Sequence, residues 1–294
     1  MSLSVQTITC TKTKSCSKRC NFFPLNNILV VETKTQTKQD IEMKRFFSLL
    51  AILFVATALF ATSGAVLKAG GTYTFVNLNT ATDAESNGFE ESLNVKFGGL
   101  GFDIGILADV TDKFAVFSNF TMIFPKDATF KNGEETKKLS KAVEEIQTAL
   151  KAVDEKASVS SKLNFFSISA GAAYKLDFKA VKLAIGAGFT LNATNMAVTG
   201  SAKISDTDCK LSINQTYTNF GLSGLVDAKY MFTDRIGVGI TLFPQMGFYN
   251  ITNASVTAPD VIKEQVGQDF DTGNVDGFKI SFAMPIIVGV SYIF

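Results

Sequence analysis

The chain has 294 residues, of which 46% are hydrophobic, with 27 Phe, no Trp and no His, and its formal net charge is +1. The lack of His excludes Ser-His-Asp triads, Cys-His dyads and His-ligated zinc sites, because each of them needs an imidazole. A net charge near zero gives no support to nucleic-acid binding. We therefore expect a protein that is not an enzyme and that uses no cofactor or metal.

Residues 43–61 have the layout of a secretory signal peptide. Met43, Lys44 and Arg45 precede an apolar run of 16 residues over 46–61 that ends in small side chains, which is the order of basic, apolar and cleavage regions. A spanning helix needs about 20 residues, although an uncleaved anchor stays open. Residues 1–42 are interpreted as an upstream extension or a disordered segment. Residues 62–294 then form the mature domain, with 20 basic and 24 acidic side chains.

Alternation of period two dominates residues 62–294. From Phe278 to Phe294 every even residue is apolar, while the odd residues are smaller and mixed. Successive strand side chains point to opposite faces, and 17 alternating residues are too many for a soluble strand of about 5–6. The pattern recurs, more weakly in places, at 67–75, 93–106, 114–124, 166–177, 181–192, 220–232 and 236–248.

One long apolar face opposite a small or polar face is typical of transmembrane barrel strands. Period two does not say which face is outside, so a soluble lipocalin-like carrier with an apolar lumen stays as an alternative. The apolar residues have odd numbers at Val95 and Phe97 but an even number at Phe102. This switch predicts that the strand changes facing at a glycine β-bulge near Gly98, Gly99 and Gly101.

The connections alternate between short and long. Short ones are predicted at 110–113, 178–180 and 233–235, and long ones at about 78–90, 125–160, 195–216 and 249–277. This favours an all-β, antiparallel up-and-down transmembrane barrel of eight strands, and ten strands if 196–215 forms an extra hairpin. Asp177 is expected opposite Lys182, since a shifted register would oppose Lys175 and Lys182.

The long connection 125–160 contains a predicted amphipathic helix. Apolar residues at steps of four and three lie among good helix formers from Glu134 to Lys156, which predicts about six turns with one apolar face. That face comprises Leu139, Val143, Ile146, Leu150 and Val153. Packing over the barrel rim, plugging the lumen and docking a partner all remain open for it.

The terminal sequence Gly289 to Phe294 ends in an aromatic residue preceded by apolar residues at every second position. It is similar to the assembly signal of bacterial outer-membrane proteins, carried here by Val288, Val290, Tyr292 and Phe294. With the signal peptide and the eight strands, the mature domain resembles the small OmpW-like and OmpX-like barrel families. The resemblance implies the cell outer membrane, with its lipid and the barrel assembly machinery as partners. It also implies either passage of small hydrophobic solutes or interaction at the cell surface.

Five charged residues are predicted to face the lumen near the periplasmic end: Lys175, Asp177, Lys182, Asp227 and Lys229. They are interpreted either as an ion path or as an ion-paired network in a closed lumen, since eight strands leave room for side chains alone. Many inward positions are Gly, Ala or Ser, which predicts extra space inside. The leading function is a narrow or laterally open passage for small or hydrophobic solutes. The alternative is a closed surface barrel that acts as an adhesin, binding host surface molecules, or that stabilises the membrane through its loops.

Overall fold

The computed structural model describes residues 64–80, 93–133, 135–152, 154–204, 207–257 and 274–294. The predicted signal peptide and the residues before it lie outside these ranges. The elements in chain order are β1 Ala65–Thr80, β2 Leu93–Asp109, β3 Phe114–Asn132, β4 Glu135–Lys138, α1 Leu139–Lys151, β5 Ser158–Phe178, β6 Val181–Ile204, β7 Thr207–Met231, β8 Ile236–Leu242, β9 Gln245–Thr257 and β10 Asn274–Ile293.

The strands form a closed antiparallel barrel with eight positions in its wall. The order runs β1, β2, β3, β5, β6, β7, β8 with β9, and β10, and β10 pairs with β1 to close the ring. β8 and β9 share one position, because both pair with β7 and with β10 on either side of Phe243 and Pro244. The prediction of eight strands is confirmed, and 196–215 adds none to the wall.

The burial pattern confirms the predicted faces of the alternating strands. On β10 the even residues are mostly exposed, whereas Ser281, Ala283, Ile287 and Ser291 are buried. The expected change of facing in β2 is wrong, because β1 pairs with β2 without a register shift and odd residues point inward throughout. Val95 and Phe97 are apolar because they face an apolar part of the interior. The bulge lies in β3, between Pro125 and Ala128.

The strands are longer at one end than predicted. The predicted loop 195–216 is paired strand up to the Ile204–Thr207 pair, and β3, β5, β9 and β10 likewise extend into predicted loops. The three connections at the other end are short, as predicted. Phe178 pairs with Val181 across Lys179, which has a φ of 52°, and Asp177 pairs with Lys182 as expected. We call these two ends of the barrel the long-strand end and the short-turn end.

The wall is interrupted between β3 and β5 at the long-strand end. Their pairing ends at Ile123 and Phe165, beyond which β3 pairs with β4 instead. Helix α1 follows β4 and packs against β5, β3 and β6. The helix was predicted to begin at Glu134 but begins at Leu139, because residues 135–138 form β4. Within the described residues, no helix is long and apolar enough to cross a membrane.

Candidate functional site

The exterior of the barrel carries a broad apolar band. Its outward side chains include Ile185, Phe189, Ile240, Val288 and Val290, all more than half exposed. Exposed apolar surface of this extent is not tolerated on a soluble monomer. The lipocalin-like alternative is therefore wrong, because it requires a polar exterior.

Aromatic pairs flank this band at both ends. At the short-turn end the ring centroids of Phe114 and Tyr174 are 5.3 Å apart, and those of Tyr292 and Phe294 are 5.0 Å apart. At the other end those of Tyr73 and Phe75 are 4.8 Å apart. An apolar band between two aromatic girdles is the exterior of a transmembrane barrel. The chain is a membrane-spanning β-barrel.

Side chains cross the lumen from opposite walls. Lys68 Nζ lies 3.1 Å from Asp227 Oδ1, although β10 and β8 separate their strands. Nε2 of Gln245 donates to Ser167 Oγ at 2.8 Å across the width of β6 and β7. These contacts leave no room for a wide aqueous channel at their level.

An aromatic pair also spans the lumen. The ring centroids of Phe117 and Phe243 lie 5.7 Å apart, with β5, β6 and β7 between them along the wall. Both side chains are buried, in a cluster with Val66, Leu107 and Leu225. An apolar cluster therefore adjoins the polar contacts inside the barrel.

The five predicted lumen charges lie in different surroundings. Lys229 Nζ lies 3.2 Å from Asp227 Oδ2, and both side chains are buried. Lys175 pairs instead with Asp109, at 2.7 Å. Asp177 is exposed at the short-turn end, beside half-buried Lys182. Only Asp227 and Lys229 therefore belong to a fully buried ion cluster.

Sequence reasoning missed three charged residues inside the barrel: Lys68, Asp103 and Asp109. Asp103 Oδ2 accepts hydrogen bonds from Asn119 Nδ2 and Thr121 Oγ1, each at 2.6 Å. Thr241 Oγ1 donates to Asp227 at 2.5 Å. Lys68 is the single charge at an inward position of β1, whereas β2 carries both Asp103 and Asp109 at inward positions. The available signal was inward parity, since a charge there needs a partner.

The interior at the long-strand end is apolar. Buried Val76, Val95, Phe97, Ile123 and Phe165 form one cluster, together with further residues from β1, β3, β5, β6, β7 and β10. Leu139 from α1 is a member of this cluster, and Val143 packs against it. The helix therefore contributes its first turns to the top of the barrel core.

The rest of the predicted helix face lies over β5 and β6. Ile146 and Leu150 are half-buried, and Leu150 is in contact range of the inner face at Gly200. Val153 lies outside the described residues. This placement matches packing over the barrel rim, one of the three alternatives for the helix.

Two aspartates hold the ends of the helical segment. Asp127 on β3 accepts hydrogen bonds from Ser140 Oγ at 2.7 Å and from Ser140 N–H at 3.0 Å, at the start of α1. Asp154 accepts one from the N–H of Lys203 at 2.7 Å. Partial burial raises the pKa of Asp127, but these bonds and one from the Ala128 N–H outweigh it and lower the pKa.

Inward glycines reflect close strand approach rather than empty space. Gly70 faces Gly289 across β1 and β10, and a Cβ on Gly70 would lie 2.4 Å from the Val288 carbonyl oxygen. Gly171 and Gly188 form a similar pair between β5 and β6. The interpretation of these positions as spare volume is therefore wrong.

Neither a protein-family model nor a curated protein matches this sequence. Solved structures that are similar in fold include the outer membrane protein OprG from Pseudomonas aeruginosa, with 11% identity and a TM-score of 0.45 over 79% of this chain and 95% of that one. Outer membrane protein AlkL has 14% identity and a TM-score of 0.40 over 80% and 91%. The attachment invasion locus protein Ail of Yersinia pestis has 10% identity and a TM-score of 0.36 over 79% and 98%.

Proposed function

We propose that this protein is a non-enzymatic barrel of a bacterial outer membrane that passes small apolar solutes through its wall without conducting ions through its lumen. The observation that carries the proposal is the interrupted pairing between β3 and β5 above Ile123 and Phe165. The inner side of this break is an apolar cluster, and its cover is α1. An apolar solute that entered from outside would meet apolar side chains on both sides.

The side chains inside the lumen favour an exit of the solute through the barrel wall rather than along the barrel axis. Below the apolar cluster lie buried polar groups such as Asp103, Asn119 and Gln245, followed by the Lys68–Asp227–Lys229 ions. An apolar solute would lose free energy by entering this layer, since it would separate paired polar groups. The apolar edge of the membrane at Phe124, where the break between β3 and β5 begins, is the favourable destination.

The route requires α1 to move, so a reversible tether tests it. Asp127 and Ser140 are in direct hydrogen-bond contact, so Asp127→Cys and Ser140→Cys place two thiols on the segments to be joined, in residues 62–294 with Cys209→Ser, which then hold no other cysteine. Uptake of the apolar dye N-phenylnaphthylamine is measured in protein-containing vesicles with a lipopolysaccharide outer leaflet, which slows direct entry of the dye, with the tether oxidised and reduced. We expect slow uptake when oxidised and recovery on reduction.

Equal dye uptake in the two redox states would contradict a route past α1. The matched control is the Cys209→Ser protein, in which reductant should change nothing. If neither the reduced tethered protein nor this control increases dye uptake above that of protein-free vesicles, solute passage itself is contradicted.

A closed surface barrel is the second candidate, and the paired extension of β6 and β7 favours it. These strands remain paired from the Val181–Tyr230 pair to the Ile204–Thr207 pair, far beyond the apolar band. Their outer part is rich in Ser, Thr, Asn and Lys. Such a ribbon offers backbone and polar side chains to a host surface molecule. Loss of cell adhesion on shortening this ribbon, with dye uptake absent throughout, would support this candidate.

The terminal strand is proposed as the contact for the barrel assembly machinery. Val288, Val290, Tyr292 and Phe294 all point outward, and Phe294 is 71% exposed. We expect Phe294→Gln to lower the amount of folded protein in the outer membrane, measured by heat-modifiable gel mobility. Unchanged assembly would contradict this role.

A further inference from the structure

A cluster of lysines lies on one side of the barrel, above the apolar band at the long-strand end. Five exposed lysines on the consecutive strands β2, β3, β4 and β5 form it: Lys96, Lys126, Lys131, Lys138 and Lys162. We call this group the basic sector. Directly above the apolar band β6 and β7 carry uncharged outward residues such as Asn195 and Thr218, with Lys203 and Lys210 further out, and β10 carries Asp276. The charge above the band is therefore asymmetric around the barrel.

Strand register places three of these lysines on one outer surface. Lys96 pairs with Thr129, and Thr129 pairs with Lys138, so Lys96 and Lys138 lie in one row. Two strand spacings separate them, about 10 Å between Cα atoms. Lys131 lies in the next outward position of β3, since Ala128 and Phe130 face inward. Flexible lysine side chains can converge over such distances on one polyanionic group.

The positive charge of the sector is only slightly offset by neighbouring acids. Within the described residues, none of the five lysines lies within 4 Å of a carboxylate oxygen. Asp127 is an acid whose charge interacts with Lys138, and its oxygens already accept hydrogen bonds from Ser140 and Ala128. The sector therefore keeps a net charge that an external anion can neutralise.

The apolar side chains directly below the sector set its height in a membrane. Leu100 on β2 and Phe124 on β3 point outward and are 71% and 50% exposed. Lys96 is two outward positions above Leu100, and Lys126 follows Phe124 by two residues. Residues in this position lie at the level of lipid headgroups, where lysines extend toward phosphates.

We propose that the basic sector binds the phosphate groups of anionic lipids in the surrounding leaflet. This rests on the membrane placement in the proposed function, but not on solute passage. Each lysine near an anionic membrane surface strengthens association about fivefold. The lipid shell on the β2–β5 side is thereby enriched in phosphorylated lipid, and the barrel acquires a preferred rotational orientation toward charged neighbours.

Lipid retention by the full chain tests the proposal. The protein is reconstituted in vesicles that mix phosphatidic acid with phosphatidylcholine, extracted gently, and its bound lipids are counted by native mass spectrometry. The variant carries Lys96→Gln, Lys131→Gln and Lys138→Gln. The matched control removes equal charge elsewhere, with Lys113→Gln, Lys179→Gln and Lys210→Gln, all exposed residues.

We expect the unmodified and control proteins to retain phosphatidic acid preferentially, and the sector variant to lose about a hundredfold of that preference. Equal preference in all three would overturn the proposal. So would release of the lipid by inorganic phosphate, which would indicate a site for free phosphate, or binding of soluble heparin at the sector without lipid preference. A chain that does not insert into vesicles would overturn the membrane placement as well, whereas insertion without lipid preference overturns the lipid site alone.

Discussion

Individual charged residues inside the barrel depend on partners from distant strands. Asp227 contacts Lys68 from across the lumen, Lys229 two residues away and Thr241 on β8. Removal of one member of a buried ion pair leaves the other charge unpaired and desolvated. The two lysines around Asp227 are therefore tolerated only while its carboxylate is present.

Asp227→Asn is expected to destabilise the barrel by about 3–5 kcal/mol, because two buried lysines lose their counter-charge. Urea unfolding in detergent micelles measures this difference. Asp234→Asn in an exposed turn is the matched control, with an expected change of about 0.5 kcal/mol or less. A similar small change for both variants would show that the lumen ions are solvated.

A second residue-scale prediction concerns pH and the hydrogen bonds that Asp127 accepts from Ser140. A pKa below the unfolded value of about 3.9 means that the stabilisation is complete above that pH and is lost as the pH falls through the folded pKa. We expect the protection factors of the α1 amides, which correct for the intrinsic exchange rate at each pH, to fall as the solution is acidified below about pH 4, measured by hydrogen exchange.

The Asp127→Ala variant is the control for this effect. Its α1 amides should exchange faster at neutral pH, because losing a good capping acceptor costs about 0.5–2 kcal/mol. Acidification should then change the protection of the α1 amides in this variant only slightly. An acid response that is equal in both proteins would assign the effect to another group.

At the scale of elements, facing glycines allow neighbouring strands to approach closely. A Cβ at Gly70 would collide with the backbone of β10, whereas one at Gly71 would meet nothing within 4 Å. These two adjacent positions therefore separate the effect of crowding from that of strand propensity.

Gly70→Ala is expected to lower the free energy of unfolding by about 1–3 kcal/mol, because the strands must move apart. Gly71→Ala should be neutral or stabilising by up to about 1 kcal/mol, since it restricts the unfolded chain. Urea unfolding of the two variants under the same conditions gives the comparison. Equal destabilisation of both would mean that the pairing of β1 with β10 does not limit side-chain size at Gly70.

Alternation could predict which residues of a strand share a face, but not where the strands end. Above the apolar band the contrast on β6 and β7 is inverted, with apolar side chains such as Met196 facing inward and polar ones such as Asn195 facing outward, although pairing continues to Ile204. The helix start was misplaced for a related reason, since residues 135–138 have helix-forming composition but pair with β3. Lys68 could not be placed either, because a single inward charge does not reveal that its partner, Asp227, lies across the lumen.

At the scale of the whole molecule, apolar and polar layers fill the barrel, and the apolar cluster around Phe117 and Phe243 adjoins the polar contacts. The apolar cluster of Phe97 and Phe165 lies at the long-strand end beneath α1, a polar layer around Asn119 and Gln245 follows, and the Lys68–Asp227 contact lies toward the short-turn end. Eight strands enclose space for little more than side chains. The layers therefore close the axis even without the helix, and any passage must go through the wall.

Single-channel conductance in a planar lipid bilayer tests the closed axis most directly, with the refolded chain 62–294 and a version that lacks 134–157. Both are expected to insert without conductance steps, because the contacts Lys68–Asp227, Gln245–Ser167 and Phe117–Phe243 lie below α1 and remain after its deletion. Discrete steps from the intact barrel would contradict a closed lumen. Steps from the shortened chain alone would contradict it as well, since they would show that the helix, rather than the lumen side chains, blocks the axis.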